Sequence, residues 1–411
     1  MNKKLLAILT LVILAAALML GGCGSSNDKE ITFTAWGASP SEVAALDETI
    51  AAFTAKTGIK VKKEVIQDKY MDVLKARFSA NNPPDVMYLD SFEVPALLKS
   101  GVLEDVGAQI DNKDDFYPIL LNAFKDQDGK YYGVPKDYST LALYVNTKLL
   151  ESAGYKVADI PKDMVGFLAF AKQLQTKLPK GTAAVVFDRE LARNLSALDA
   201  SGATVVKADG KADFTSNQNA LNYLQMFIDG KKGGYTMNAK DDLGLDWAGA
   251  AFGAEKAVFM MEGNWVLSAL KKDYATVKYQ ILEMPTVNGK QQTMAFTVAY
   301  AVPKGAKNKP AAYEFVKYMT GEGQKIWTSA SGTLPSRISV TKELKLEDDP
   351  DKKVHILGAA YATVWERGVT LPVINSAFGN QYQAALGGQK TLLDAMKAAE
   401  KEANDEIERQ K

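Results

Sequence analysis

Cysteine and histidine are almost missing from this chain: its 411 residues contain one of each, Cys23 and His355. A structural zinc site takes about four Cys or His ligands, so none can be assembled and no metal or other cofactor is expected. One cysteine cannot close an intramolecular disulfide, and a CxxC redox centre is excluded with it. Ser-His-Asp or Cys-His catalysis would have to run through His355 alone, beside the charged stretch 348–353, which reads as a surface loop. Net charge is missing too, with 49 Lys and Arg against 49 Asp and Glu. A nucleic-acid binder normally carries a basic excess or stripe to neutralise phosphates, and this chain has neither.

What is present is an ordinary globular composition, 47% hydrophobic and 24% charged. The length points to two lobes, because single cores stop growing at about 250–300 residues. The one long apolar run lies at the amino end. Lys3 and Lys4 precede apolar residues 5–20, and Leu20-Gly21-Gly22-Cys23 follows. That order describes a secretory signal, whereas a spanning helix wants ~20 apolar residues. The Leu-Gly-Gly-Cys ending resembles the lipobox of bacterial lipoproteins. It implies a signal peptide over residues 1–22, a lipid on Cys23, and an extracytoplasmic protein anchored to the cell membrane. Residues 23–29 are then a short polar tether.

Beyond the tether, Ile31-Thr32-Phe33-Thr34-Ala35-Trp36 alternates as a strand does. Ser39-Pro40-Ser41-Glu42 opens a helix with a capping serine, a first-turn proline and a glutamate three residues on, and the helix runs to about Lys56. Residues 59–66 read as strand, 69–80 as helix, 85–89 as a short buried strand and 93–99 as helix. Strand alternating with helix is the pattern of a doubly wound α/β lobe, in which ligands bind outside the carboxyl ends of the strands. Those ends are Trp36 with Gly37, and Asp90 with Ser91. Farther on, 131–135 and 141–145 read as a strand pair interrupted by the polar group 136–140. Residues 183–187 read as a buried strand, 310–319 as a helix, and 391–410 as a long helix opened by Thr391 and Asp394.

Several segments together resemble the type 1 extracellular solute-binding proteins, the maltose-binding-protein-like family that feeds ABC sugar importers. They are Thr34-Ala35-Trp36; Pro84-Asp85-Val86 leading to Asp90 and then Leu97-Leu98-Lys99-Ser100-Gly101-Val102-Leu103-Glu104-Asp105; Gly129-Lys130-Tyr131-Tyr132-Gly133-Val134-Pro135; and Tyr144-Val145-Asn146-Thr147-Lys148-Leu149-Leu150. Met261-Glu262-Gly263-Asn264-Trp265, the stretch from Lys307 to Phe315, and Gly332-Thr333-Leu334-Pro335-Ser336-Arg337 complete the set. The resemblance implies an α/β, two-lobe periplasmic-binding-protein-like fold with a ligand cleft between the lobes and three interlobe crossings. Applied here, the N-terminal lobe takes residues 29–137 and 297–340, and the C-terminal lobe 141–293 and 350–411. The crossings fall near 137–141, 293–297 and 340–349. The implied partners are a small oligosaccharide, malto-, xylo- or similar, and ABC permease subunits, with the binding protein itself a monomer.

A sugar site wants flat aromatic faces and short polar hydrogen-bond partners. The resemblance makes Trp265, after Gly263-Asn264, the stacking tryptophan; the alternative is a core residue beside Met260 and Met261. Trp36 and Asp90 sit at strand ends facing the cleft, although Trp36 could pack in the core and Asp90 could merely cap the next helix. Asp137 and Tyr138 lie where the chain crosses between lobes, as ligand contacts or hinge packing. Asp188, Trp247, Asn264 and Phe378, the last in Asn375-Ser376-Ala377-Phe378, complete the candidates. Trp327 and Trp365 are assigned to the core. Many relatives have Gly-Gly where this chain has Met294-Ala295-Phe296-Thr297, so Phe296 adds an aromatic wall or shortens the cleft.

Alternatives stay open. The same fold could bind a glycerol phosphate or a polyamine; a phosphorylated ligand would want clustered arginines, and Arg189 and Arg193 are the near ones. Iron capture wants clustered Tyr and His ligands. A lipid-anchored glycosidase needs two carboxylates flanking a scissile bond, and nothing in the pattern singles out a pair. No enzyme activity is expected.

Overall fold

The computed structural model describes residues 30–37 and 40–410. The expected signal peptide, Cys23, the tether and the Ser39 cap lie outside the described residues. The strands are β1 (Glu30–Trp36), β2 (Lys60–Ile66), β3 (Val86–Asp90), β4 (Val134–Asn146), β5 (Ala183–Val186), β6 (Thr236–Met237), β7 (Ala257–Gly263), β8 (Tyr279–Leu282), β9 (Met294–Ala301), β10 (Leu334–Pro335) and β11 (Thr363–Val364). The helices used below are α1 (Pro40–Thr57), α2 (Leu191–Ala200), α3 (Ala248–Gly253), α4 (Val266–Lys272), α5 (Glu322–Ser331), α6 (Pro350–Gly358), α7 (Leu371–Leu386) and α8 (Leu392–Arg409).

Strands run in the order β2-β1-β3-β9-β4-β7-β5-β6, with β10 and β8 also on β4 and β11 on β9. β1 pairs in parallel with β2 and β3, whereas β9 lies antiparallel to both β3 and β4. Alternating side chains feed layers on both faces of each half. On β4, Leu141, Leu143 and Val145 enter one core while Ala142 and Tyr144 enter another. On β3, Val86 and Tyr88 join Phe33, Phe53 and Phe315, and Met87 and Leu89 join Leu97 and Phe124. The two-residue side-chain period of a strand produces this division. Each such aromatic or aliphatic burial contributes roughly 1.5–3 kcal/mol.

The expected strand pair at 131–145 is instead one 13-residue strand, β4, with a register shift between Pro135 and Asp137. Its first part pairs with β9 and its last part with β7 and β8, so a single strand runs through both lobes. The polar group 136–140 is no interruption, because tertiary partners satisfy it. Lys136 and Asp137 form a buried ion pair, Thr297 Oγ1 donates to the Asp137 carbonyl at 2.9 Å, and Thr140 N donates to Asn264 Oδ1 at 3.1 Å.

His355 also departs from expectation. It lies in α6 and is fully buried. Asp349 caps α6 and Pro350 opens it, so the charged stretch is the first turn of a helix whose inner face carries the histidine. His355 Nδ1 lies 2.8 Å from the Thr140 carbonyl and must carry the proton. Nε2 then accepts from the Tyr144 hydroxyl at 2.8 Å. Thr293 Oγ1 donates to the Leu141 carbonyl at 2.8 Å. The middle of β4 is thus joined to Thr293 at the start of β9 and to His355 of α6.

Candidate functional site

Strand ends from both lobes converge beside this junction. Trp265 follows the end of β7, and its ring lies across Gly263: a Cβ there would meet ring carbons at 2.1 Å. Phe296 of β9 stands edge-on to Trp265, with centroids 5.5 Å apart at 74°. Phe296 is also 6.4 Å from Trp365. Trp365, placed by β11, stacks on Phe92 from the other lobe at 5.0 Å and 6°, and Ser91 Oγ donates to its carbonyl at 3.2 Å. Asp90 closes β3 and accepts from Phe92 N at 2.9 Å; desolvation pushes its carboxyl up to about 6.

Beneath the aromatic wall sits an ion pair. Arg193, in the first turn of α2, donates through Nη2 to Glu262 Oε1 at 2.9 Å. The guanidinium carbon stands 5.0 Å from the Trp265 ring and 5.6 Å from the Phe296 ring. Glu262 also accepts from Gly263 N at 3.1 Å. Burial pushes its carboxyl up to about 7, against the pull of Arg193 and with a further push from Asp188.

Asp188 links this wall to a pocket of about 420 Å³, which it lines together with Arg189, Glu190, Asp246 and Trp247. Trp247 lies flat on Gly249, where a Cβ would meet its ring at 2.2 Å. The far wall is one stripe of α7, formed by Asn375, Ser376, Gly379, Asn380 and Gln383. Arg189 donates to Asp241 Oδ2 at 2.9 Å. An aromatic, polar and nearly charge-balanced surface of this kind suits hydroxylated ligands.

Of the expected contacts, Asp188 and Trp247 line the pocket, and Trp265 and Phe296 stand together at the wall. Asp90 instead caps the turn after β3, the alternative role expected for it. Trp36 is half-buried at its strand end, edge-on to Tyr70 at 5.2 Å and tilted against Tyr88 at 5.0 Å. The others are enclosed. The Asp137 carboxylate is used by Lys136 and by Trp327, whose Nε1 donates at 3.0 Å. Tyr138 is buried against Tyr117 at 5.5 Å. Asn264 is buried with its Oδ1 on the β4 backbone. Phe378 is buried between Phe214 at 5.3 Å and Tyr382 at 5.1 Å. These four offer no surface to a ligand in this structure, and they hold the hinge and the core instead. Trp327 and Trp365 are both buried in the core as expected, Trp365 behind Phe296.

Sequence reasoning offers Arg193 only as a near arginine for a phosphorylated ligand, and it does not single out Glu262, Phe92 or the polar stripe of α7. The stripe was readable: positions 375, 376, 379, 380 and 383 repeat with helical spacing, and Phe378 falls on the opposite face. No group of His, Cys, Asp or Glu among the described residues could hold a metal ion.

A family model for bacterial extracellular solute-binding proteins matches residues 48–354. A maltooligosaccharide ABC transporter solute-binding lipoprotein of Streptococcus pneumoniae is 27% identical over 76% of this chain and 73% of its own length. A diacetylchitobiose-binding protein of Streptomyces coelicolor is 24% identical over 84% of each chain. An ABC substrate-binding protein of Listeria monocytogenes, solved with cycloalternan, superposes with a TM-score of 0.82 at 19% identity, covering 92% of this chain and 98% of its own. The match to the family model spans well over half the chain, and the protein belongs to the bacterial extracellular solute-binding protein family.

Proposed function

We propose that the protein captures a neutral oligosaccharide in the cleft walled by Trp265 and Phe296, backed by the buried Trp365, and hands it to the permease of an ABC importer. The observation that carries this reading is the pairing of both nearby arginines with carboxylates, Arg189 with Asp241 and Arg193 with Glu262. A phosphorylated solute would need that positive charge free, whereas sugar hydroxyls need aromatic faces and mixed donors and acceptors. The relatives named for maltooligosaccharide and diacetylchitobiose support the same class. The pocket carboxylates Asp188, Glu190 and Asp246 favour a polyamine as the second reading.

The proposed lobes are residues 29–137 with 297–340, and 141–293 with 350–411, closing about the crossings by hinge motion. Residues 1–22 act as the signal peptide, and Cys23 carries the lipid that anchors the monomer outside the cytoplasm. Binding breaks no bond, so a chromogenic glycoside is left intact.

The test is a thermal-shift panel on the chain starting at Gly24, with malto-, xylo-, manno- and galacto-oligosaccharides and spermidine. A ligand at a hundred times its Kd stabilises by about 2.7 kcal/mol, a rise of roughly 5–10 °C for lobes of this size. A rise with an oligosaccharide supports the reading. A rise with spermidine alone, or with nothing, contradicts it.

A further inference from the structure

Arg193 is an expensive residue where it stands. A cation in the first turn of a helix faces the positive end of the helix dipole, and this one has a side chain only 17% exposed. Glu262 accounts for one edge of its guanidinium, through Nη2. Nε, on the other hand, is buried with no hydrogen-bond partner among the described residues. A buried N–H without an acceptor costs about 1–3 kcal/mol, so a purely structural arginine would have been built with its fork filled. The orphan donor also belongs to a guanidinium that lies 5.0 Å from the partly buried Trp265 ring. Trp265 is pressed against Gly263, and the Arg193 guanidinium stands over its ring. A pyranose that reaches Trp265 therefore meets Arg193 at the same moment.

Resting on the sugar reading above, we propose that Arg193 is a ligand-contacting specificity residue whose unused guanidinium edge donates to two neighbouring hydroxyl oxygens of the sugar ring at Trp265. The planar fork presents parallel N–H donors that match a vicinal oxygen pair. Glu262 holds the fork in orientation and cancels its charge, so the pair reads hydroxyl geometry and does not attract anions. Asp188 and Glu190 nearby reinforce the exclusion of anionic sugars. Discrimination by such a site is strong, because a ligand lacking a hydroxyl leaves the buried donor unpaired again.

The experiment compares the chain from Gly24 with two variants, Arg193→Lys and the neutral pair Arg193→Gln/Glu262→Gln, by calorimetric titration and melting temperature. Probes are maltotriose, diacetylchitobiose, mannotriose and the monodeoxy derivatives of whichever binds most tightly. Arg193→Lys keeps the charge beside Glu262 but loses the fork, and the double variant keeps the shape without the charges, so one of them remains foldable if the other does not. The expected result is at least about tenfold weaker binding, an altered ranking of the sugars and a loss of discrimination against the deoxy derivatives, all with the melting temperature retained. Unchanged Kd values and ranking overturn the proposal. So does uniform weakening that follows a fall in melting temperature, which marks a structural arginine. A parent chain that binds none of the probes overturns the sugar reading itself, and that outcome is visible before any variant is made.

Discussion

Glycine at position 263 is what lets a tryptophan serve as a wall. The Trp265 ring occupies the volume a Cβ would need, so Gly263→Ala must displace the ring from its place beside Phe296 and Arg193. The expected outcome is at least about tenfold weaker ligand binding, since a displaced aromatic anchor costs about 2 kcal/mol or more. Fluorescence titration checks the binding, and the far-UV circular dichroism spectrum should stay unchanged. His355 gives a second test at this scale, made clean by being the chain's single histidine. Burial lowers its pKa from 6.5 to about 4, against the pull of the Thr140 carbonyl and of Asp351. The unfolded chain therefore binds the extra proton first. The stability linked to His355, of order 3 kcal/mol, is complete above pH 6.5 and is lost as the pH falls towards 4. Asp90 and Glu262, with raised values, act in the opposite sense over pH 4–7. Proton NMR of the imidazole should show a midpoint near 4 in the folded protein, and a midpoint near 6.5 would contradict the buried hinge network.

Elements were legible wherever local chemistry decided them. The alternation of β1, the Pro40 start of α1 and the threonine cap of α8 all appear where the sequence places them. Thr391 Oγ1 accepts from Asp394 N at 3.2 Å. Thr391→Ala should lower stability by about 1 kcal/mol, measured by urea unfolding, with ligand affinity untouched. What was not legible depended on distant partners. The polar run in the middle of β4 looks like a loop until β9, α5 and Asn264 are there to satisfy it. Asp137 and Tyr138 looked available for the same reason. The pairing of Arg193 with Glu262 was missed because 69 positions separate two residues that only the fold brings together.

At the scale of the whole molecule, the lobes touch at points far apart in sequence. Ser268 Oγ of α4 donates to Ser41 Oγ of α1 at 2.5 Å, and Phe92 stacks on Trp365. A ligand shifts the balance between open and closed forms only by binding the closed one more tightly. Within the proposed lobes, Trp265, Trp365 and Arg193 belong to the C-terminal lobe and Phe296 to a crossing, and the other lobe adds Ser91 and Phe92 at Trp365. The proposed sugar affinity therefore rests first on the Trp265 wall. Calorimetric titration of the chain from Gly24 and its Trp265→Ala variant with the oligosaccharide panel tests that most directly. The account predicts saturable binding of at least one neutral oligosaccharide, weakened about thirtyfold or more in the variant. Equal affinity in the two proteins, or no binding by either, would contradict it.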